Sequence, residues 1–216
     1  MAFPFPLELY STQKQRWPNS GRHILAHYDD EKIVVYQAYK PSISHSAVKF
    51  QDFVTCNPEF RPGRMTWIKP NFLWMMHRSG WATKPDQEAI LALSLSRSWF
   101  DGILATRALL SSQKPQDGQE KAEVLVQWDP DHDPVGSNEV RRAIQIGLRD
   151  KAAEEFAKGV HGQAVLAIND VSEFVNQTRT EIIDKGVTEI EDKLFIPVEN
   201  VYPASTVIRN RLEMDK

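Results

Sequence analysis

Runs of β-branched and aromatic residues recur along this chain between stretches of helical character, but in no regular strand–helix–strand rhythm. KIVVYQAY at Lys32–Tyr39 and EVLVQWD at Glu123–Asp129 read as strands. Further short strands are expected over Arg64–Lys69 and near Gln163–Ile168. KLFIPVENVY, from Lys193, reads as a last strand, with Pro197 pointing to an edge or a bulge. Helices are expected from Ser42 to about Phe53, from Pro70 to near Gly80, over Ser98–Leu110, from Glu139 to Lys158, and from about Val171. EAILALSLS alternates imperfectly and reads as strand or helix. Strands scattered among helices predict an α+β domain, built from small antiparallel or mixed sheets with peripheral helices, rather than a doubly wound sheet.

At 216 residues the chain is slightly longer than the usual single domain of roughly 100–200 residues. Residues 1–20, with three prolines, are expected to form an extended arm, and residues 21–216 one domain. The polar run 111–121 reads as a loop rather than a boundary. A single cysteine, Cys56, excludes an internal disulfide and a cysteine-based metal cage, so a cytoplasmic setting is expected. MAFPFPLELY lacks the basic region of a signal peptide, and no apolar run approaches the ~20 residues that cross a bilayer. The net charge of −3 argues against a general polyanion binder. It hides an asymmetry: residues 1–110 hold 13 Lys and Arg against 9 acids, and the remainder 13 against 20. A basic half folded on an acidic half can still present a local positive cleft.

The stretch Phe60–Lys84 stands out. It contains Arg61, Arg64, Lys69, Arg78 and Lys84 with no acid, and three of the six tryptophans, Trp67, Trp74 and Trp81. Unpaired cations are costly to bury, so their heads must reach water, an internal carboxylate or an anionic ligand. Indole faces beside Arg and Lys are a common means of holding nucleotides or single-stranded nucleic acid. The run Phe72–Met76 is too apolar for a surface, so part of the stretch also reads as core. QWDPDHDP, Gln127–Pro134, alternates three aspartates, yet Pro134 and Val140 stand where a calcium loop needs Gly and Glu. Trp128, Asp129 and His132 on this loop, with Arg141 on the following element, remain candidate site residues. His23 and His27 lack the further ligands that would make a zinc site, and no metal is expected. Neither standard glycine-rich phosphate cradle is present.

VVYQAYKPSI (Val34–Ile43), RMTWIKPNFLWMMHRSGW (Arg64–Trp81), the QWDPDHDP loop with Arg141–Gln145, and IPVENVYP resemble a widespread bacterial and fungal family catalogued as domain of unknown function 4291. More distantly, the order of elements is similar to that of the ADP-ribosyltransferase fold, which holds NAD between two small antiparallel sheets. Gln37 or Tyr39 stands where that fold has His or Arg, and its Tyr/Ser motif is not recognisable. This resemblance implies an NAD-dependent transferase with a nucleic-acid or protein acceptor and with Glu199 and Gln37 as catalytic residues. It further implies that Arg64 and Lys69 hold the diphosphate, that Trp67 or Tyr39 stacks on a ring, and that Lys40, Thr66, Asn71 and Arg78 complete the pocket. The rival expectation is a non-catalytic nucleotide or single-stranded nucleic-acid binder using the same patch.

Overall fold

The computed structural model describes residues 3–55, 60, 64–113, 122–184 and 190–215. Arg61, Cys56 and most of the polar loop expected at 111–121 lie outside the described residues. In chain order, β1 (Leu7–Leu9), α1 (Tyr10–Arg16), β2 (Gly21–Arg22) and β3 (Leu25–Ala26) precede β4 (Lys32–Tyr39) and α2 (Pro41–Phe50). Then come β5 (Thr66–Ile68), α3 (Phe72–Ser79), β6 (Ala89–Ser96), α4 (Arg97–Thr106) and β7 (Ala108–Leu110). β8 (Val124–His132), β9 (Asn138–Leu148), α5 (Asp150–Ala157), β10 (Val165–Asp170) and α6 (Ser172–Thr178) follow. β11 (Phe195–Pro197), β12 (Asn200–Val201) and α7 (Thr206–Arg211) close the chain. The architecture is α+β, one domain with small sheets and peripheral helices.

β10, β6 and β4 form an antiparallel sheet. Along β4, Ile33 and Val35 enter one core while Val34 and Tyr36 enter the other, because successive side chains of a strand point to opposite faces. Leu91, Leu93 and Leu95 of β6 join the first core, and Ile90 and Ala92 the second. Burial on both faces explains why EAILALSLS carries no clean alternation and could not be read as strand from its pattern. The second sheet runs β2-β9-β8-β7, with β5 added to β9, and its inner face supplies Val124, Val126, Ile144, Ile146 and Leu148 to the first core. Each such side chain, fully buried, contributes about 1.5–3 kcal/mol.

Three expectations are overturned here. Glu139–Lys158 is not one helix: its first half is β9, the longest strand, and only Asp150–Ala157 is helical. The apolar residues of β9 meet β8 along an eight-pair antiparallel register, which outweighs local helix preference. The N-terminal residues are not simply an extended arm. Tyr10 and Trp17 of the α1 region are buried, and Gln13 donates from Nε2 to the carbonyl of Pro197 at 3.0 Å. The last strand is likewise two strands, β11 and β12, broken at Val198 and Glu199. No helix among the described residues is long and apolar enough to cross a membrane.

Candidate functional site

The two main sheets touch where Tyr36 of β4 and Lys69, just past β5, exchange both backbone hydrogen bonds, at 2.7 and 3.1 Å. Beside that bridge lies a cleft of about 400 Å³. One wall is the end of β4 (Gln37 to Tyr39), another is Met65 to Trp67, and α3 adds Met75 and Arg78. Gln87 and Gln145 complete the rim. The Met65 and Trp67 side chains can fold down over β9 because residue 147 is glycine. A Cβ there would stand 2.6 Å from Met65 Sδ and 3.1 Å from the Trp67 ring.

The floor of the cleft is a closed polar network. Gln37 Nε2 donates to Thr66 Oγ1 at 2.8 Å and to the Trp67 carbonyl at 3.1 Å, and Tyr39 Oη donates to Gln37 Oε1 at 3.0 Å. Burial pushes the Tyr39 phenol up to about 12, so it stays a neutral donor across the physiological range. With its amide oriented by three partners, Gln37 is a rigid part of the wall.

Lys69 is the unusual member. It is 5% exposed, yet among the described residues no acceptor lies within hydrogen-bonding or ion-pair distance of its Nζ. Desolvation, helped by the field of Arg78 and opposed by Asp129, lowers its amine from the ordinary 10.5 to about 8. Asp129 acts on it through its field and not by a direct contact. Its carboxylate accepts from Gln127 Nε2 at 2.9 Å and Gln145 Nε2 at 2.7 Å, and its own burial raises its pKa. Among the described residues, the Arg78 guanidinium reaches only the side-chain oxygen of Gln87, at 3.4 Å. Among the described residues that line the cleft, none is an acid.

The residues singled out in the sequence therefore divide. Gln37, Tyr39, Thr66, Trp67, Lys69 and Arg78 converge on the cleft. Lys40 and Arg64 are exposed away from it, Lys40 facing Asp86 at 3.6 Å. Asn71 is a helix cap: its Oδ1 accepts from Trp74 N at 2.6 Å. Trp128 packs against the first core with Nε1 on the Leu212 carbonyl. Arg141 is buried and paired with Asp131 at 2.6 Å; its guanidinium also reaches the Pro18 carbonyl and lies over Trp17. Of the three tryptophans, Trp67 alone lines the cleft, while Trp74 and Trp81 are core. Gln87 carried no signal in the sequence, since an isolated glutamine has no pattern.

Glu199 does not line the cleft. It is wholly buried and accepts from Phe72 N at 2.7 Å and Asn71 Nδ2 at 2.9 Å, at the start of α3. Burial raises its pKa well above the ordinary carboxyl range, against the opposing pull of the Phe72 N–H. Its backbone is held by α1, Gln13 Oε1 accepting from Glu199 N and Trp17 Nε1 donating to the Glu199 carbonyl. The arrangement anchors α3, and through it Arg78, to the N-terminal region. His132 lies against His77, ring centroids 3.4 Å apart, with Trp74 stacked alongside. Among the described residues no group of three or more His, Cys, Asp or Glu is arranged to hold a metal ion.

A family model described as Domain of unknown function (DUF4291) matches residues 23–202, a span that includes every residue lining the cleft. No curated protein matches the chain.

Proposed function

The chain belongs to the DUF4291 family, and we propose that its cleft binds a small phosphorylated ligand of nucleotide type. Lys69 and Arg78 take the phosphate, and a flat ring lies against Trp67. The observation that carries this reading is Lys69, a residue only 5% exposed, which has no ion-pair partner among the described residues and opens into a cleft whose described lining holds no acid. A bound anion would supply the charge that the protein withholds. The volume of about 400 Å³ is within the range of ligand sites, roughly 300–1,000 Å³.

Calorimetric titration with pyrophosphate, AMP, ADP and NAD tests it. Binding of at least one of these is expected, weakened about 10- to 100-fold by Lys69→Met or Arg78→Ala, the usual loss of a charge-assisted contact. Absence of heat with all four, or binding indifferent to both substitutions, would overturn the reading. A second reading, an NAD-dependent ADP-ribosyl transferase, is favoured by one feature: the cleft lies at the junction of two small sheets. In that reading Gln37 and Tyr39 are the groups that touch NAD, and Glu199 acts only by anchoring α3. NAD turnover that falls with Gln37→Ala supports it, and no turnover at all sinks it while leaving the binding cleft intact.

A further inference from the structure

We propose that Lys69 is a nucleophile, its amine condensing with the carbonyl carbon of a phosphorylated aldehyde or ketone held in the cleft by Arg78. The proposal rests on the reading of the cleft as a phosphate-ligand site and names the substrate class. A lysine that serves only as an anion anchor gains from keeping its proton, and a water-exposed head with a nearby acceptor does that best. Lys69 has neither. It sits 5% exposed at the junction of the two sheets, its backbone fixed to Tyr36 by two hydrogen bonds. A second cation, Arg78, lies on the same cleft. The carboxylate that could stabilise its charge, Asp129, has each oxygen occupied by a glutamine amide.

Desolvation beside another cation is a general way of making a lysine amine nucleophilic. With its pKa lowered to about 8, roughly a tenth of the amine is neutral at pH 7, against less than about a thousandth for an ordinary lysine. The two cations thus divide the work: Arg78 holds the phosphate while Lys69 attacks. The nitrogen lone pair forms the C–N bond, the carbonyl π pair moves to oxygen, and that oxygen leaves as water with the two amine protons. The product is an imine, which one further proton converts to the iminium. No oxidant or reductant is needed.

The test uses the full chain and pyridoxal 5′-phosphate as a reagent, since it carries an aldehyde, a flat ring and a phosphate. After reduction with cyanoborohydride, the labelled lysine is located by peptide mapping. Lys69 should be labelled first, at a rate that climbs with pH up to about 8, and pyrophosphate should slow that labelling about tenfold or more without slowing exposed lysines. Arg78→Ala should remove the effect of pyrophosphate, and Lys69→Met, checked as folded by circular dichroism, should leave only the slow background. Label spread evenly over exposed lysines, or Lys69 labelling indifferent to pyrophosphate, would overturn the proposal. Pyrophosphate binding by calorimetry without any Lys69 adduct would overturn the nucleophile and leave the phosphate cleft standing. Neither binding nor adduct would remove both.

Discussion

Replacing Lys69 with methionine should make the protein more stable at neutral pH. Methionine fills nearly the same volume as the lysine stem and brings no charge into the cleft. The gap between the ordinary 10.5 and about 8 corresponds to roughly 3 kcal/mol by which the folded state disfavours the charged amine. The folded pKa lies below the unfolded one, so between about pH 8 and 10.5 the unfolded chain binds more protons. Stability from this group therefore rises with pH through that window, and the full cost is present below it. Urea unfolding of both proteins at pH 7 should show the variant ahead by about 2–3 kcal/mol, and the lead should shrink steadily toward pH 10.5, other titrations cancelling in the difference. A variant less stable at pH 7, or a lead that is flat with pH, would refute the claim that an unpaired charge is buried there. Stabilisation accompanied by loss of anion binding would mark Lys69 as a position where stability is given up for function.

Three further substitutions probe the frame around the cleft. Glu199→Ala strands the Phe72 N–H and the Asn71 amide at the start of α3 and should lower unfolding stability by about 2–4 kcal/mol; an unchanged urea midpoint would show that α3 needs no such anchor. Arg141→Ala leaves Asp131 buried without its partner and should cost about 3–5 kcal/mol, whereas replacing both by apolar residues should restore much of the loss, a contrast that a double-mutant cycle reads directly. Trp67→Ala should weaken ligand binding at a small stability cost, while Trp81→Ala, which removes a buried ring and its bond to the Pro134 carbonyl, should cost about 3–5 kcal/mol. Equal stability losses for the two tryptophans would contradict the division of the acid-free stretch into cleft and core.

Local chemistry alone determined a good part of this protein. KIVVYQAY is a strand because β-branched and aromatic side chains suit a pleated, buried surface, and the start and stop of α3 follow from the Asn71 cap and from Gly80 at φ +60°. The acid-free stretch was legible as a place where cations would lack local partners. Only the tertiary structure decided which cation that would be. Lys84 reaches the carbonyls of His77 and Arg78, Arg78 reaches Gln87, and Lys69 alone of these three is left without an acceptor among the described residues. The fate of Asn138–Leu148 was also a tertiary matter: its charged and apolar residues suit a helix until β8 offers a full ladder of partners, and the one local hint, Gly147, has meaning only once Met65 and Trp67 cross above it. Glu199 reads as an edge residue by its neighbours in the chain and becomes a buried anchor because α1 and α3 close over it. Propensity and capping act over a few residues, so a sequence can display them. Burial and charge pairing depend on what distant segments bring alongside, and no short pattern encodes that.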